Sequence, residues 1–186
     1  QSVSATISGG VATWGAVTDL SAAGQNAVNP QVALSADGSR ATAVWRRLDG
    51  SRYIVQSVSA TISGGVATWG AVTDLSAVGQ HALDPQVGVS ADGSRATAVW
   101  SRYDGSNWIV QSVSATISGA VATWGAVTDL SAVGQEALYP QVGVSSDGSR
   151  ATAVWWRYDG SNYIVQSASA TISGGVASWG AVTDLS

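Results

Sequence analysis

Few residues in this chain can do chemistry, and most of them recur at one spacing. His81 is the single histidine, Glu136 the single glutamate, and cysteine is absent. A histidine-based metal cage, disulfides and thiolate chemistry are therefore excluded, and a Ser-His-Asp triad would rest on His81 alone. The sequence places His81 in a connecting segment, as a solvated side chain. Asp-Gly pairs begin at Asp37, Asp49, Asp92, Asp104, Asp147 and Asp159. Each supplies one carboxylate where a calcium site gathers several oxygens, and turn chemistry accounts for them. The Gly-Gly pairs match no phosphate-cradling pattern. Neither a metal nor a cofactor is expected. What remains is Arg47, Arg102 and Arg157 at a spacing of 55 residues, and Glu136 close to Tyr139.

That spacing is the period of the whole chain. Gln1, Gln56, Gln111 and Gln166 open successive copies, and Pro30, Pro85 and Pro140 recur at the same interval, as do Trp14, Trp69, Trp124 and Trp179. The copies differ sharply at a few offsets: Asn26, His81 and Glu136; Asn29, Asp84 and Tyr139; Arg46, Ser101 and Trp156; Leu48, Tyr103 and Tyr158; Arg52, Asn107 and Asn162; Tyr53, Trp108 and Tyr163. Tyr, Trp, Asn and Arg are residue types that stack on sugar rings or anchor protein contacts. Drift in exposed loops would give differences at the same places.

The elements that must position these residues are strands. In the second copy, "PQVGVS" from Pro85 reads as strand A, and the Asp92-Gly93 turn suits the positive φ angles of a tight hairpin. Strand B, "RATAVWSRY", puts Ala96, Ala98 and Trp100 on one face, with Thr97 and Val99 on the other. "DGSN" returns the chain as strand C, "WIVQSVSATIS", and strand D is "TWGAVTDLS".

Four antiparallel strands per repeat, with short hairpins inside it and a longer connection between repeats, predict an all-β fold: a β-propeller of four-stranded blades. The blades are expected at 30–76, 85–131 and 140–186, with residues 1–21 as a half blade of strands C and D. Small Ala and Val suit close sheet packing, and Trp14, Trp69, Trp124 and Trp179 are expected between the sheets. The coils of a parallel β-helix are shorter and would not carry two Asp-Gly turns per period. On the propeller reading the varied offsets fall in the D-to-A connection and the B-to-C hairpin, which share one face. The A-to-B and C-to-D turns, on the other face, hardly change.

Composition bounds the partners. The chain has 186 residues, is 45% hydrophobic and 11% charged, and carries a net charge of -4 with no lysine. Such a chain can bury a substantial core but offers no clustered cations for phosphates, so nucleic acid is not expected as a partner. No run of about 18 apolar residues is present, so no membrane span is expected. The sequence starts inside a repeat, with no signal-peptide pattern.

"TISGGVATW", from Thr61, resembles the Asp-box hairpin of sialidase-type β-propellers, Ser/Thr-x-Asp-x-Gly-x-x-Thr-Trp. Thr61, Gly65, Thr68 and Trp69 fall on the motif and Ser63 stands where it has Asp; Ala120 and Ser178 depart from it in other copies. The whole copy is similar to the repeats of bacterial secreted proteins described as sialidase-like, which implies a secreted or cell-surface location. In that family the box fastens the blade, its polar side chain capping turn amides. Family chemistry uses an arginine triad, a Tyr nucleophile assisted by Glu, and an Asp acid, converging at the ring centre. Here Arg47, Arg102 and Arg157 occupy equivalent blade positions, which point around a ring instead of converging. Glu136 with Tyr139 is the single Glu-Tyr pairing, and no two carboxylates at a defined separation can be assigned.

The expectation is therefore a non-enzymatic binding or adhesion module for a glycan or protein ligand, lectin-like in its most concrete form. Its candidate ligand-binding residues are His81, Asp84, Tyr103, Trp108, Glu136, Tyr139, Trp156, Arg157, Tyr158 and Tyr163. The alternatives are a purely structural array and a sialidase-like hydrolase. The half blade leaves sheet edges open, which predicts a homo-oligomer, most simply a dimer with about six blades in one ring. A longer chain supplying the missing A-B pair is the alternative.

Overall fold

The computed structural model describes residues 1–186 and is all-β, built of strands and turns. No helix is long and apolar enough to cross a membrane. A hairpin of β1 (Ala5–Ser8) and β2 (Val11–Trp14) comes first. Blade 1 follows, with β3 (Ala27–Leu34), β4 (Arg40–Leu48), β5 (Tyr53–Ser63), β6 (Val66–Trp69) and β7 (Thr73–Asp74). Blade 2 has β8 (Ala82–Val89), β9 (Arg95–Tyr103), β10 (Trp108–Ser118), β11 (Val121–Trp124) and β12 (Thr128–Asp129). Blade 3 has β13 (Ala137–Val144), β14 (Arg150–Tyr158), β15 (Tyr163–Ser173), β16 (Val176–Trp179) and β17 (Thr183–Asp184). Each blade is an antiparallel meander, β-propeller fashion, with the fourth strand broken into two segments that both pair with the third.

Two departures from the sequence reading have plain causes. Strand A begins at Ala82, not Pro85, because a bulge between Leu83 and Gln86 lets the strand pair on both sides of the proline. In the A-to-B turn only the glycine is left-handed, Gly93 at φ 65°. Asp92 serves instead as an acceptor, taking the Ser94 N–H at 3.0 Å and the Ser90 hydroxyl at 2.6 Å.

The core lies between blades. One face of β9 turns Ala98 and Trp100 toward blade 1, where they meet Val44, Val55 and Leu75. The other face turns Val99 toward Ala153 and Trp155 of blade 3. Alternation along a single strand thus feeds two cores. The buried indoles are those of strand B, Trp45, Trp100 and Trp155. Each donates to a glutamine of strand C at 3.1 Å (Gln56, Gln111 or Gln166), which donates in turn to Asp74, Asp129 or Asp184. Trp69, Trp124 and Trp179 pack at the rims of these cores, and Trp14 is 65% exposed. The expectation of Trp14 between sheets is corrected: beside the hairpin no A-B pair stands to cover it.

The turns that hardly change between copies join the blades. The Ala36 N–H donates to the Ala91 carbonyl at 2.7 Å, and the Ala91 N–H to Ser146 at 2.8 Å. The C-to-D turns also stack: a Cβ on Gly15 would lie 3.3 Å from the Gly65 carbonyl, and one on Gly125 3.2 Å from Gly175. The Asp-box likeness does not extend to capping at this turn. Side-chain capping is found in the A-to-B turn, through Asp37, Asp92 and Asp147.

Those caps set an acid limit. The Ser39 N–H and the Ser35 hydroxyl lower Asp37 from 3.8 to about 2. The Ser90 hydroxyl and Ser94 N–H lower Asp92 to about 2 as well, and the Ser145 hydroxyl leads the same downward shift at Asp147. A depressed folded-state value stabilises the fold above the unfolded value of 3.8, and that contribution is lost as pH falls toward 2. Urea midpoints measured against pH are expected to hold level above about pH 5 and fall between about 4 and 2. Changing Asp37, Asp92 and Asp147 together to Asn should lower the plateau and flatten the fall. An unchanged slope would contradict this assignment.

Candidate functional site

The varied offsets come together at the end where strand B meets strand C. There the D-to-A connection closes onto strand B: the Leu48, Tyr103 and Tyr158 N–H groups donate to the carbonyls of Asn26, His81 and Glu136 at 2.9, 2.8 and 2.9 Å. The B-to-C turn is built by its aspartate. Asp104 accepts from the Ser106 and Asn107 N–H groups at 2.8 Å each, which lowers its pKa, the Asn107 N–H most. Asp49 also reaches the Gly79 N–H at 3.1 Å, tying hairpin to connection. The same polar frame is repeated while the side chains it holds change.

In blades 1 and 2 these side chains form a joined row. His81 lies between Tyr53 and Trp108, 6.2 Å from each ring, and Trp108 is 5.4 Å from Tyr103. The Nδ1 atom of His81 faces the Tyr53 N–H at 3.4 Å. His81 is half-buried, not the solvated residue the sequence suggests, because it fills the seam between blades. Arg46 stacks over Tyr53 at 4.7 Å.

Blade 3 presents the larger surface. Tyr139 meets Trp156 edge-on at 5.1 Å, Trp156 is 6.1 Å from Tyr163, and Tyr163 is 5.3 Å from Tyr158. The four rings are 41% to 61% exposed. Beside them is a polar cleft of about 500 Å³ lined by Asn107, Gln135, Glu136, Arg157, Asp159 and Tyr163, among others. Gln135 has no place in the sequence reading, which has Asn107 as a varied offset and Asp159 as a turn residue, neither of them among the candidate ligand-binding residues. Asp159 repeats in every copy as a turn residue, and in blade 3 it also lines the cleft with Glu136 and Arg157.

Ten candidate residues thus divide into groups. Tyr139, Trp156, Tyr158 and Tyr163 share one stack; Glu136, Arg157, Tyr158 and Tyr163 line the cleft; His81, Tyr103 and Trp108 form the neighbouring row. Asp84 stands at the strand A bulge, half-buried. The arginines are held blade by blade: Arg47 lies 3.9 Å from Asp74 and Arg102 3.5 Å from Asp129. Arg157 donates to the Tyr158 carbonyl at 3.5 Å.

Tyr139 carries a cost. It has φ 55°, the left-handed conformation that Asn29 and Asp84 adopt at φ 54° and 51°. Asn and Asp tolerate this region, whereas a bulky side chain is strained there by roughly 1 kcal/mol. Tyr139→Asn is expected to raise stability by about 0.5–1 kcal/mol in urea unfolding while weakening ligand binding. A loss of stability would contradict the strain assigned here.

Compared with known proteins, the sequence matches no family model and no curated protein.

Proposed function

We propose that this chain is a non-enzymatic binding module, secreted or surface-displayed, that recognises glycans through the face formed by its D-to-A connections and B-to-C hairpins. The observation that carries this reading is the exposed four-ring stack of Tyr139, Trp156, Tyr163 and Tyr158 beside a polar cleft. Aromatic faces take the apolar C–H face of a pyranose, while Asn107, Gln135, Glu136, Arg157 and Asp159 offer donors and acceptors for its hydroxyls. A rigid repeated frame holding variable aromatic residues on one face is what recognition requires at low ordering cost. The blade-by-blade tethering of Arg47 and Arg102 to Asp74 and Asp129 supports binding over hydrolysis, since these cations do not gather on one carboxylate.

A glycan array run beside a fluorogenic sialoside assay tests the reading. Binding to one glycan class is expected, and Trp156→Ala should weaken it roughly 10- to 100-fold, the loss usual for an anchoring aromatic. Turnover of the sialoside would overturn the proposal in favour of a hydrolase. Silence in both assays would return the chain to a structural role.

A further inference from the structure

Each seam between blades is filled by the same residues, 55 positions apart. Between blades 1 and 2, Val44, Val55 and Leu75 meet Ala82, Ala98, Trp100 and Val113. Between blades 2 and 3, Val99, Val110 and Leu130 meet Ala137, Ala153, Trp155 and Ala168. On the outer side of blade 1 the set is short. Ala43, Trp45 and Val58 are buried with Ala27 and Trp69 beside them, but the hairpin contributes Leu20 alone. Nothing stands where the strand B and strand C valines of a neighbouring blade would be. In their place is a largely apolar groove of about 620 Å³, lined by Val32, Leu34, Gly38, Ala41, Trp45 and Trp14 among others.

The missing set is displayed at the other end of the molecule. Val154, Val165 and Leu185 of blade 3 are the counterparts of Val44, Val55 and Leu75; the first two are half-buried and Leu185 is 59% exposed. The polar counterparts match as well. Ser146 repeats the position whose N–H, at Ala36 and Ala91, bonds to the next blade, and no such partner faces it; the Ala36 carbonyl is likewise unused. Arg40 packs where a Cβ on Gly93 would fall, and Arg95 does so at Gly148. Gly38 has open space around it, and Arg150 is exposed.

We infer that the outer face of blade 3 docks, head to tail, into the groove on blade 1 of a second copy of this chain. The contact continues the seam that joins blades within the molecule. Two such contacts close a dimer of six blades, inside the range of four to eight that rings of this kind use. Docking places Leu185 where Leu20 sits, so the hairpin β1–β2 is released. Both strands are exposed along nearly their whole length, and the ties to be given up are Leu20 at the core and the stacking of Thr6 and Gly15 on the turn at Gly65.

Size-exclusion chromatography with light scattering on the full chain tests this at micromolar concentration. The expected mass is twice 18.7 kDa. Val32→Glu, on the groove, and Val154→Glu, on blade 3, should each halve it; Leu185→Glu, at a more exposed site, serves for the blade 3 face if Val154→Glu does not fold. A wild-type monomer, an open-ended higher oligomer, or a dimer broken from only one of the two faces would overturn the inference, the last because a symmetric contact uses a single face twice. Amides of residues 5–14 should exchange faster in the dimer than in a monomeric variant, and the reverse order would refute release of the hairpin.

Discussion

Trp100→Ala should destabilise the fold by about 3–5 kcal/mol in urea unfolding, the largest loss of any single side chain here. The indole is completely buried between blades 1 and 2, against Val44, Val55 and Leu75. Its removal leaves a cavity and also strips the Gln111 carbonyl of its donor, at the head of a chain that continues to Asp129 and Arg102. In the Val154→Glu background, where no second copy fills the groove, Trp45→Ala removes the same group from a seam without the two valines, and the loss should be about 1 kcal/mol smaller. A loss below about 1 kcal/mol at Trp100 would mean that the blades do not share a core.

Alanine at the A-to-B turn glycines should separate strain from stacking. Gly38, Gly93 and Gly148 have φ of 69°, 65° and 67°, so each substitution costs about 1–2 kcal/mol of left-handed strain. Around Gly38 the added methyl meets nothing within 4 Å, whereas at Gly93 it falls 2.8 Å from the Arg40 Cβ and 3.1 Å from the Ser35 Cβ of blade 1. Gly148 meets Arg95 and Ser90 of blade 2 in the same way. Gly93→Ala and Gly148→Ala are therefore expected to cost a further 1–3 kcal/mol or so. The comparison belongs in the Val154→Glu background, where Gly38 has no second copy near it. Equal losses at all three positions would contradict the stacking of consecutive turns.

The period, the strands and the division into a constant and a varied face were legible in the sequence because each rests on local chemistry. Alternation along "RATAVWSRY" gives the strand and both of its faces, and Asp-Gly gives the turns. Other features needed the third dimension. Pro85 reads as a strand start, and only pairing on both sides of the bulge shows that the strand begins at Ala82. Trp69 and Trp100 are equally apolar in sequence, and the neighbouring blade decides which is enclosed. His81 looks like a loop residue until two rings from different blades flank it. The varied offsets located the candidate site, but the placing of Asp159 and Asn107 in the cleft depends on how hairpin and connection meet.

The nine tryptophans are native reporters of the proposed division between scaffold and recognition face. Indole ¹⁵N–¹H correlation spectra recorded during titration with the glycan class selected by the array test it most directly. The Trp156 signal is expected to shift in a saturable way, with Trp108 responding less, while Trp45, Trp100 and Trp155 stay in place. Saturable shifts at Trp14 or Trp69 with Trp156 unmoved would contradict it.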